Sequence, residues 1–279
     1  MKISTSPTGA AKASARVLVI SGYGVNCEKE CAYAARKAGA AVADIVCFSD
    51  LAYGRRRIAD YNFIIFPGGF LDGDDLGAAQ AAAQRWKYAA PAHGAPFTEQ
   101  LLTLVDQGGL ILGICNGFQL LVKLGLLPAL DNKYLKRQVS LTHNASGRFE
   151  DRWCRLRVNR ESPCVFTRGL DFLYMPVRHG EGRLVPADEA LLRRLHAEKL
   201  CVLYYADDRG LPTQEYPDNP NGSPLGIAGL CDPTGRIFGL MPHPEAYNHP
   251  ANHPGWTRGE NAPSGLTIFA GAVRLLCGD

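Results

Sequence analysis

Gly113-Ile114-Cys115-Asn116-Gly117-Phe118-Gln119 places a cysteine between an apolar run, Leu110-Ile111-Leu112, and a stretch of helical periodicity through Leu120, Leu121 and Leu124. A strand-to-helix junction of this kind is the geometry of a nucleophile elbow, in which a sharp turn lifts the side chain clear of the sheet. The glycines on either side allow a tight backbone and leave room for a substrate carbonyl to approach the sulfur. The N–H groups and positive dipole end of the following helix favour thiolate over thiol. A buried structural cysteine that merely precedes a helix is the alternative reading of the same residues.

A cysteine nucleophile needs a base within hydrogen-bond reach and a group that orients the base. Of the seven histidines, only His243 directly follows an apolar strand and has a carboxylate, Glu245, two residues on. Alternate residues at a strand end point the same way, so Glu245 can reach His243, and a Cys115-His243-Glu245 triad follows. Attack on a carbonyl would create an oxyanion, which requires preorganised donors. Gly68-Gly69 offers backbone N–H groups unobstructed by side chains, and the N–H of Asn116 adjoins the nucleophile; a plain turn is the other reading of Pro67-Gly68-Gly69.

The elements that must position these groups alternate between strand and helix. Arg16 to Ser21 reads as a buried strand, Glu28 to Ala38 as a helix, and Ala43 to Phe48 as a second strand. Phe63 to Phe66 is a strand stopped by Pro67-Gly68-Gly69; an alanine-rich helix after Leu76, a helix near Phe97 to Asp106 and the strand into Cys115 follow. Strands apolar on both faces, alternating with helices, imply an α/β fold whose central sheet is mostly parallel, with helices on both faces and ligands beyond the carboxyl ends of the strands. Beyond Pro128 come shorter strand-like pieces at Gln138 to Thr142, Trp153 to Val158, Phe172 to Val177 and Cys201 to Tyr205, separated by turn clusters. This half is expected to add antiparallel strands to the same sheet. The chain closes with strands at Ile227 to Leu230 and Ile237 to Met241 and a helix from Leu266 to Leu276. Residues 1–15 read as a flexible tail and 16–279 as one domain.

Composition narrows the function classes. With 46% hydrophobic residues the 279-residue chain can fill a sizeable core. Thirty Lys and Arg against 27 Asp and Glu are scattered, and the one dense run, Arg55-Arg56-Arg57, has no aromatic platform beside it, so nucleic acid is not an expected partner. No apolar run reaches membrane-spanning length, so no membrane partner is expected either. Nine cysteines without a CxxC or regular spacing argue against a disulfide framework and for a reducing compartment, the cytoplasm.

Gly113 to Gln119 resembles the nucleophile motif of class I, triad-type glutamine amidotransferases. Its Asn-Gly-Phe-Gln after the cysteine is similar to that of the glutaminase component of phosphoribosylformylglycinamidine synthase, a purine-pathway enzyme. Agreement extends to Gly24-Val25-Asn26-Cys27-Glu28-Lys29-Glu30, to Pro67-Gly68-Gly69-Phe70 with Gly73-Asp74, and to Asn144 through Glu150. It continues through His179-Gly180-Glu181-Gly182, Tyr216 through Ser223 and Met241-Pro242-His243-Pro244-Glu245, and so spans nearly the whole chain.

The resemblance implies a flavodoxin-like class I amidotransferase fold, with Cys115 as nucleophile, His243 as general base and acid, and Glu245 as its orienter. It implies an oxyanion hole at the Gly69 region and Asn116, and a glutamine pocket shaped by Gln119 with His179 and Glu181 nearby. Glutamine would be cleaved to glutamate and ammonia through a γ-glutamyl thioester. The ammonia would pass to a synthetase subunit that uses ATP and magnesium, with a small third subunit as a possible bridge. No phosphate-binding loop of the Gly-x-x-x-x-Gly-Lys-Ser/Thr type is present, so no cofactor is expected in this chain itself. An amidase or amidotransferase for another acceptor and a non-catalytic scaffold are the alternatives.

Three features depart from the family pattern. Ala246 stands where the family usually has arginine, Leu71-Asp72 replaces the usual Ser-Tyr, and a long Asn248 to Pro263 loop follows the Pro-His-Pro-Glu motif. Within that loop Pro250 and Pro254 forbid the helix on which His249 and His253 could share a zinc ion, so no metal site is expected there. Asp72, Asp74 and Asp75 lack the spacing of a calcium loop. Cys27, with no histidine near it in sequence, reads as a packing residue.

Overall fold

The computed structural model describes residues 14–91, 94–260 and 262–278. The elements in chain order are β1 (Arg16–Ser21), α1 (Glu28–Lys37), β2 (Val42–Cys47), α2 (Phe48–Ala52), β3 (Phe63–Phe66), α3 (Gln80–Tyr88), α4 (Phe97–Asp106), β4 (Leu110–Ile114), α5 (Asn116–Leu124), β5 (Val139–His143), β6 (Glu150–Val158), β7 (Phe172–His179), β8 (Glu181–Pro186), α6 (Glu189–Ala197), β9 (Cys201–Ala206), β10 (Ile227–Cys231), β11 (Ile237–Leu240) and α7 (Leu266–Cys277).

A nine-stranded sheet runs in the order β2-β1-β3-β4-β11-β10-β9-β6-β7. The first five strands are parallel, and from β11 onward each neighbour is antiparallel. In β3, β4 and β11 every residue is buried, as a sheet covered on both faces requires. Helix α1 packs against α7, and α3 packs against α4 and α5. Trp86 of α3 is fully buried and meets Phe66, Phe48 and Phe97 edge-on or tilted at 4.9–5.5 Å, which pins this helix beside the end of β3.

The second half departs from expectation in three respects. β5 does not join the main sheet; it pairs with β8 in a separate two-stranded ribbon. β7 runs past the expected end at Val177 to His179, and a further strand, β8, starts at Glu181, so the His179 to Gly182 segment is broken only at Gly180. Helix α6, capped by Asp188 accepting from the Leu191 N–H at 2.7 Å, had no counterpart in the sequence reading. β8 leaves the sheet plane because its first residues are tied elsewhere: Gln119 Nε2 donates to the Glu181 carbonyl at 2.6 Å and Asn221 Nδ2 to the Gly182 carbonyl at 2.9 Å. Of the expected N-terminal tail, residues 1–13 lie outside the described residues, and Ala15 is buried with its carbonyl accepting from Ala41 and Val42.

Candidate active site

β4 and β11 lie side by side in parallel, pairing Gly113 with Gly239 and Ile114 with Leu240. Residues just past their carboxyl ends, Cys115 and His243, therefore emerge at one edge of the sheet. The Cys115 N–H donates to the Leu240 carbonyl at 2.8 Å, which locks the junction to β11. Cys115 itself adopts φ 51°, ψ −104°, a strained conformation for a residue with a Cβ.

The flanking glycines allow the tight, strained backbone expected at this turn. A Cβ on Gly113 would lie 2.7 Å from the Gly117 carbonyl oxygen, and one on Gly117 only 1.9 Å from that of Phe66. They let α5 seat directly on β3 and β4, and the strain falls on Cys115.

His243 and Glu245 are buried, 3% and 1% exposed, and His243 Nδ1 lies 2.6 Å from Glu245 Oε1. A carboxylate accepts only, so Nδ1 carries the hydrogen and neutral His243 has its lone pair on Nε2. Among the described residues Nε2 meets no hydrogen-bond partner. Burial pulls the proton affinity of His243 down, but the Glu245 charge and the neighbouring Cys115 outweigh it and hold the imidazole well above its ordinary range. The Cys115 thiol donates to the Arg178 carbonyl at 3.7 Å.

Cys115, His243 and Glu245 line a cavity of about 560 Å³ together with Gly69, Gln119, His179, Glu181, Cys27 and Arg178. Gly69 takes φ +137° in a backbone bridge to Val25, where Asn26 donates to the Gly68 carbonyl and Phe70 to that of Gly24. The Gly69 N–H stands outside those bonds. The Asn116 N–H opens α5, where the first donors of a helix have no intrahelical acceptor. Gly68 makes way for the base, since a Cβ there would sit 2.7 Å from His243 Cε1.

Other expected pocket residues act as struts. Asn116 accepts from the Leu71 N–H at 3.0 Å and donates to Gln119 Oε1 at 3.0 Å, and Gln119 passes the chain on to Glu181. This relay joins the Gly69 loop, the elbow helix and β8. The Glu181 carboxylate accepts from the Ala78 N–H at 3.3 Å, while His143, a residue of the exposed rim, stands 3.7 Å from its other oxygen. His179 is gripped by Asn144, whose Nδ2 donates to the His179 carbonyl at 2.7 Å and whose Oδ1 is 3.0 Å from Nδ1. Burial and the nearby His243 push the imidazole of His179 down to about 3, so it is neutral, with a bare Nε2 in the cavity wall. Buried Asn221 and Ser223 brace Gly182 and Leu184, which accounts for the Tyr216 to Ser223 stretch as support for β8.

Sequence reasoning missed Cys27. Its Sγ lies 3.9 Å from His243 Nδ1 across 216 residues of chain, a neighbour that sequence distance conceals. Burial pushes this thiol up, against the pull of its hydrogen bond with His243.

A CobB/CobQ-like glutamine amidotransferase domain matches residues 14–276. The PurQ subunit of phosphoribosylformylglycinamidine synthase from Methanococcus maripaludis is 43% identical over 271 residues, 92% of this chain and 96% of that protein. The chain belongs to the PurQ family of glutamine amidotransferases. The PurQ subunit from Dehalococcoides mccartyi is 41% identical over 261 residues, covering 93% and 96%. The human phosphoribosylformylglycinamidine synthase is 36% identical over 244 residues, 83% of this chain but 18% of that larger protein. Among solved structures, PurLQS from Thermotoga maritima superposes with a TM-score of 0.68 at 27% identity, covering 94% of this chain and 99% of the matched one.

The features noted above as departures acquire a structural setting. Ala246 lines the cavity beside Glu245. Residues 248–260 of the Asn248 to Pro263 loop wind through two short 3₁₀ turns and are anchored by His253, buried among Trp153, Tyr174 and Tyr247 with ring centroids 5.2–5.9 Å away. His249 and His253 each accept a backbone N–H through Nδ1, from Ala251 and Gly255, so both act as local caps. None of the described helices is long and apolar enough to cross a membrane.

Proposed function

We propose that this PurQ-family chain is the glutaminase subunit of phosphoribosylformylglycinamidine synthase and that Cys115, His243 and Glu245 carry its chemistry. The observation that carries the reading is the buried His243-Glu245 pair facing a strained Cys115 at the carboxyl edge of two adjacent parallel strands.

His243 Nε2 takes the thiol proton to give a thiolate–imidazolium pair, which the raised proton affinity of His243 favours, and Cys115 Sγ then attacks the side-chain carbonyl carbon of glutamine. The oxyanion lies against the N–H groups of Gly69 and Asn116. Collapse expels ammonia, protonated at nitrogen by His243, and leaves a γ-glutamyl thioester on Cys115. Water then attacks the thioester, its proton passing to Nε2, and glutamate leaves as the thiolate returns. Glu245 keeps the imidazole in the required tautomer and compensates the imidazolium. His179, Gln119 and Glu181 shape the glutamine pocket.

Ammonia in neutral water is mostly protonated and not nucleophilic, which favours direct delivery to a synthetase subunit. That partner uses ATP and magnesium to convert formylglycinamide ribonucleotide to the amidine, and a small third subunit bridges the two; the chain described here needs no cofactor and works in the cytoplasm. The test is glutamate release from glutamine by the purified chain, wild type against Cys115→Ala, with and without the candidate synthetase and its nucleotide. Hydrolysis that depends on Cys115 and rises with the partner supports the reading; hydrolysis untouched by Cys115→Ala sinks it.

A further inference from the structure

Three potential metal ligands converge on the side of His243 that faces away from the nucleophile's proton. Cys27 Sγ is 3.9 Å from His243 Nδ1, Glu245 Oε1 is 2.6 Å from the same atom, and the ligand atoms of all three residues lie within 4.8 Å of one another. A tetrahedral zinc ion, with bonds of about 2.0–2.3 Å, holds neighbouring ligand atoms roughly 3.3–3.8 Å apart. To take the ion, His243 Nδ1 and Glu245 Oε1 must move apart by about 0.7 Å and Cys27 Sγ must approach Nδ1 by a few tenths of an ångström. Glu245 is 1% exposed and its second oxygen, Oε2, has no hydrogen-bond partner among the described residues, so the cluster holds an unsatisfied buried acceptor. Gly68 leaves the space open, since a Cβ there would stand 2.7 Å from His243 Cε1 and 3.4 Å from Cys27 Sγ.

We propose that Cys27, His243 and Glu245 form an inhibitory site for a thiophilic divalent cation of the zinc type, with solvent as fourth ligand. One thiolate, one carboxylate and a neutral imidazole balance the dication, the condition for burying it. The metal replaces the proton on Nδ1 and the proton on the Cys27 thiol; starting from the imidazolium, both leave to solvent and Nε2 keeps its hydrogen. An imidazole with metal on Nδ1 and hydrogen on Nε2 has no lone pair for the Cys115 proton, so the ion disables the base without touching the nucleophile. This consequence rests on the assignment of His243 as base; the site itself does not.

Cobalt(II) is the probe for the site, because a thiolate ligand gives a charge-transfer band and a tetrahedral environment gives intense visible bands. The metal-free chain and its Cys115→Ser variant should both show the thiolate band on addition of cobalt(II), and Cys27→Ser should lose it. No band in the wild type, a band kept in Cys27→Ser, or one lost in Cys115→Ser overturns the site. In parallel, glutamine hydrolysis is read as the ratio with and without zinc, so that any difference in basal rate cancels. The zinc concentration for half inhibition should rise at least about tenfold in Cys27→Ser. Equal sensitivity of the two proteins overturns the inhibitory role, whereas an absence of hydrolysis under every condition counts against the glutaminase reading and leaves the cobalt result to decide the site.

Discussion

His243 Nδ1 sits 2.6 Å from Glu245 Oε1, with both side chains almost fully buried. Two residues apart on a tight Pro-His-Pro-Glu turn, they form a unit whose geometry is local but whose burial comes from the sheet around it. After the opposing effect of burial, the Glu245 charge leads the causes that hold the His243 imidazole up. Glu245→Gln keeps the shape and removes the charge, so the imidazole midpoint, followed by NMR, should fall. Hydrolysis should drop on the order of 10²- to 10⁴-fold, as when the orienting carboxylate of a triad is neutralised. An unchanged midpoint would refute the electrostatic role.

Adjacent glycines should fail differently. Gly68→Ala puts a methyl group 2.7 Å from His243 Cε1 without a backbone penalty, so the ring must shift. Catalysis should fall about 10²-fold or more from misplacement, with little change in melting temperature. Gly69→Ala meets the Gly24 carbonyl oxygen at 2.5 Å and a φ of +137°, and should cost about 2 kcal/mol or more of stability. Thermal melts paired with activity assays separate the two.

Gln119→Ala cuts the relay from the Leu71 N–H through Asn116 to the Glu181 carbonyl. It leaves the Asn116 amide buried without its acceptor, at a cost of about 1–3 kcal/mol. Because β8 then loses its tie to the elbow helix, KM for glutamine should rise more than kcat falls. Steady-state kinetics give that split directly.

His179 carries a pH signature. Its imidazole is held down to about 3 when folded, first by burial, against about 6.5 in the unfolded chain. The unfolded state therefore binds the extra proton as pH falls below 6.5, and folding stability declines toward pH 3 by up to about 1.4 kcal/mol per pH unit from this group. His243, raised instead, acts with the opposite sign, its contribution being fully present below about 6.5 and lost as pH rises, so it does not share this decline. Denaturant midpoints measured from pH 7 to pH 4 should fall less steeply in His179→Gln than in the wild type.

Close packing under the nucleophile gives a further expectation. A Cβ on Gly117 would stand 1.9 Å from the Phe66 carbonyl oxygen, so Gly117→Ala should push α5 off β3. A loss of about 1–3 kcal/mol and of hydrolysis together is the expected result. Circular dichroism melts and glutamate release check it.

Much of this protein was legible from residues alone. Period and punctuation placed β1, β3, β4 and α4 at or within a residue of their observed bounds, because apolar runs and glycine or proline stops act locally. The same local logic put Cys115 at an elbow and His243 next to Glu245. Tertiary structure alone decided the rest. β5 and β8 form their own ribbon because Gln119 and Asn221, distant in sequence, hold the start of β8 off the main sheet. Asn116 and Gln119 became struts, Gly113 and Gly117 became packing contacts, and Cys27 became a neighbour of His243, each by pairings over long stretches of chain. A sequence states which groups are available and how the nearby backbone turns; which distant groups share one buried space depends on strand order and close packing, and only the folded sheet sets those.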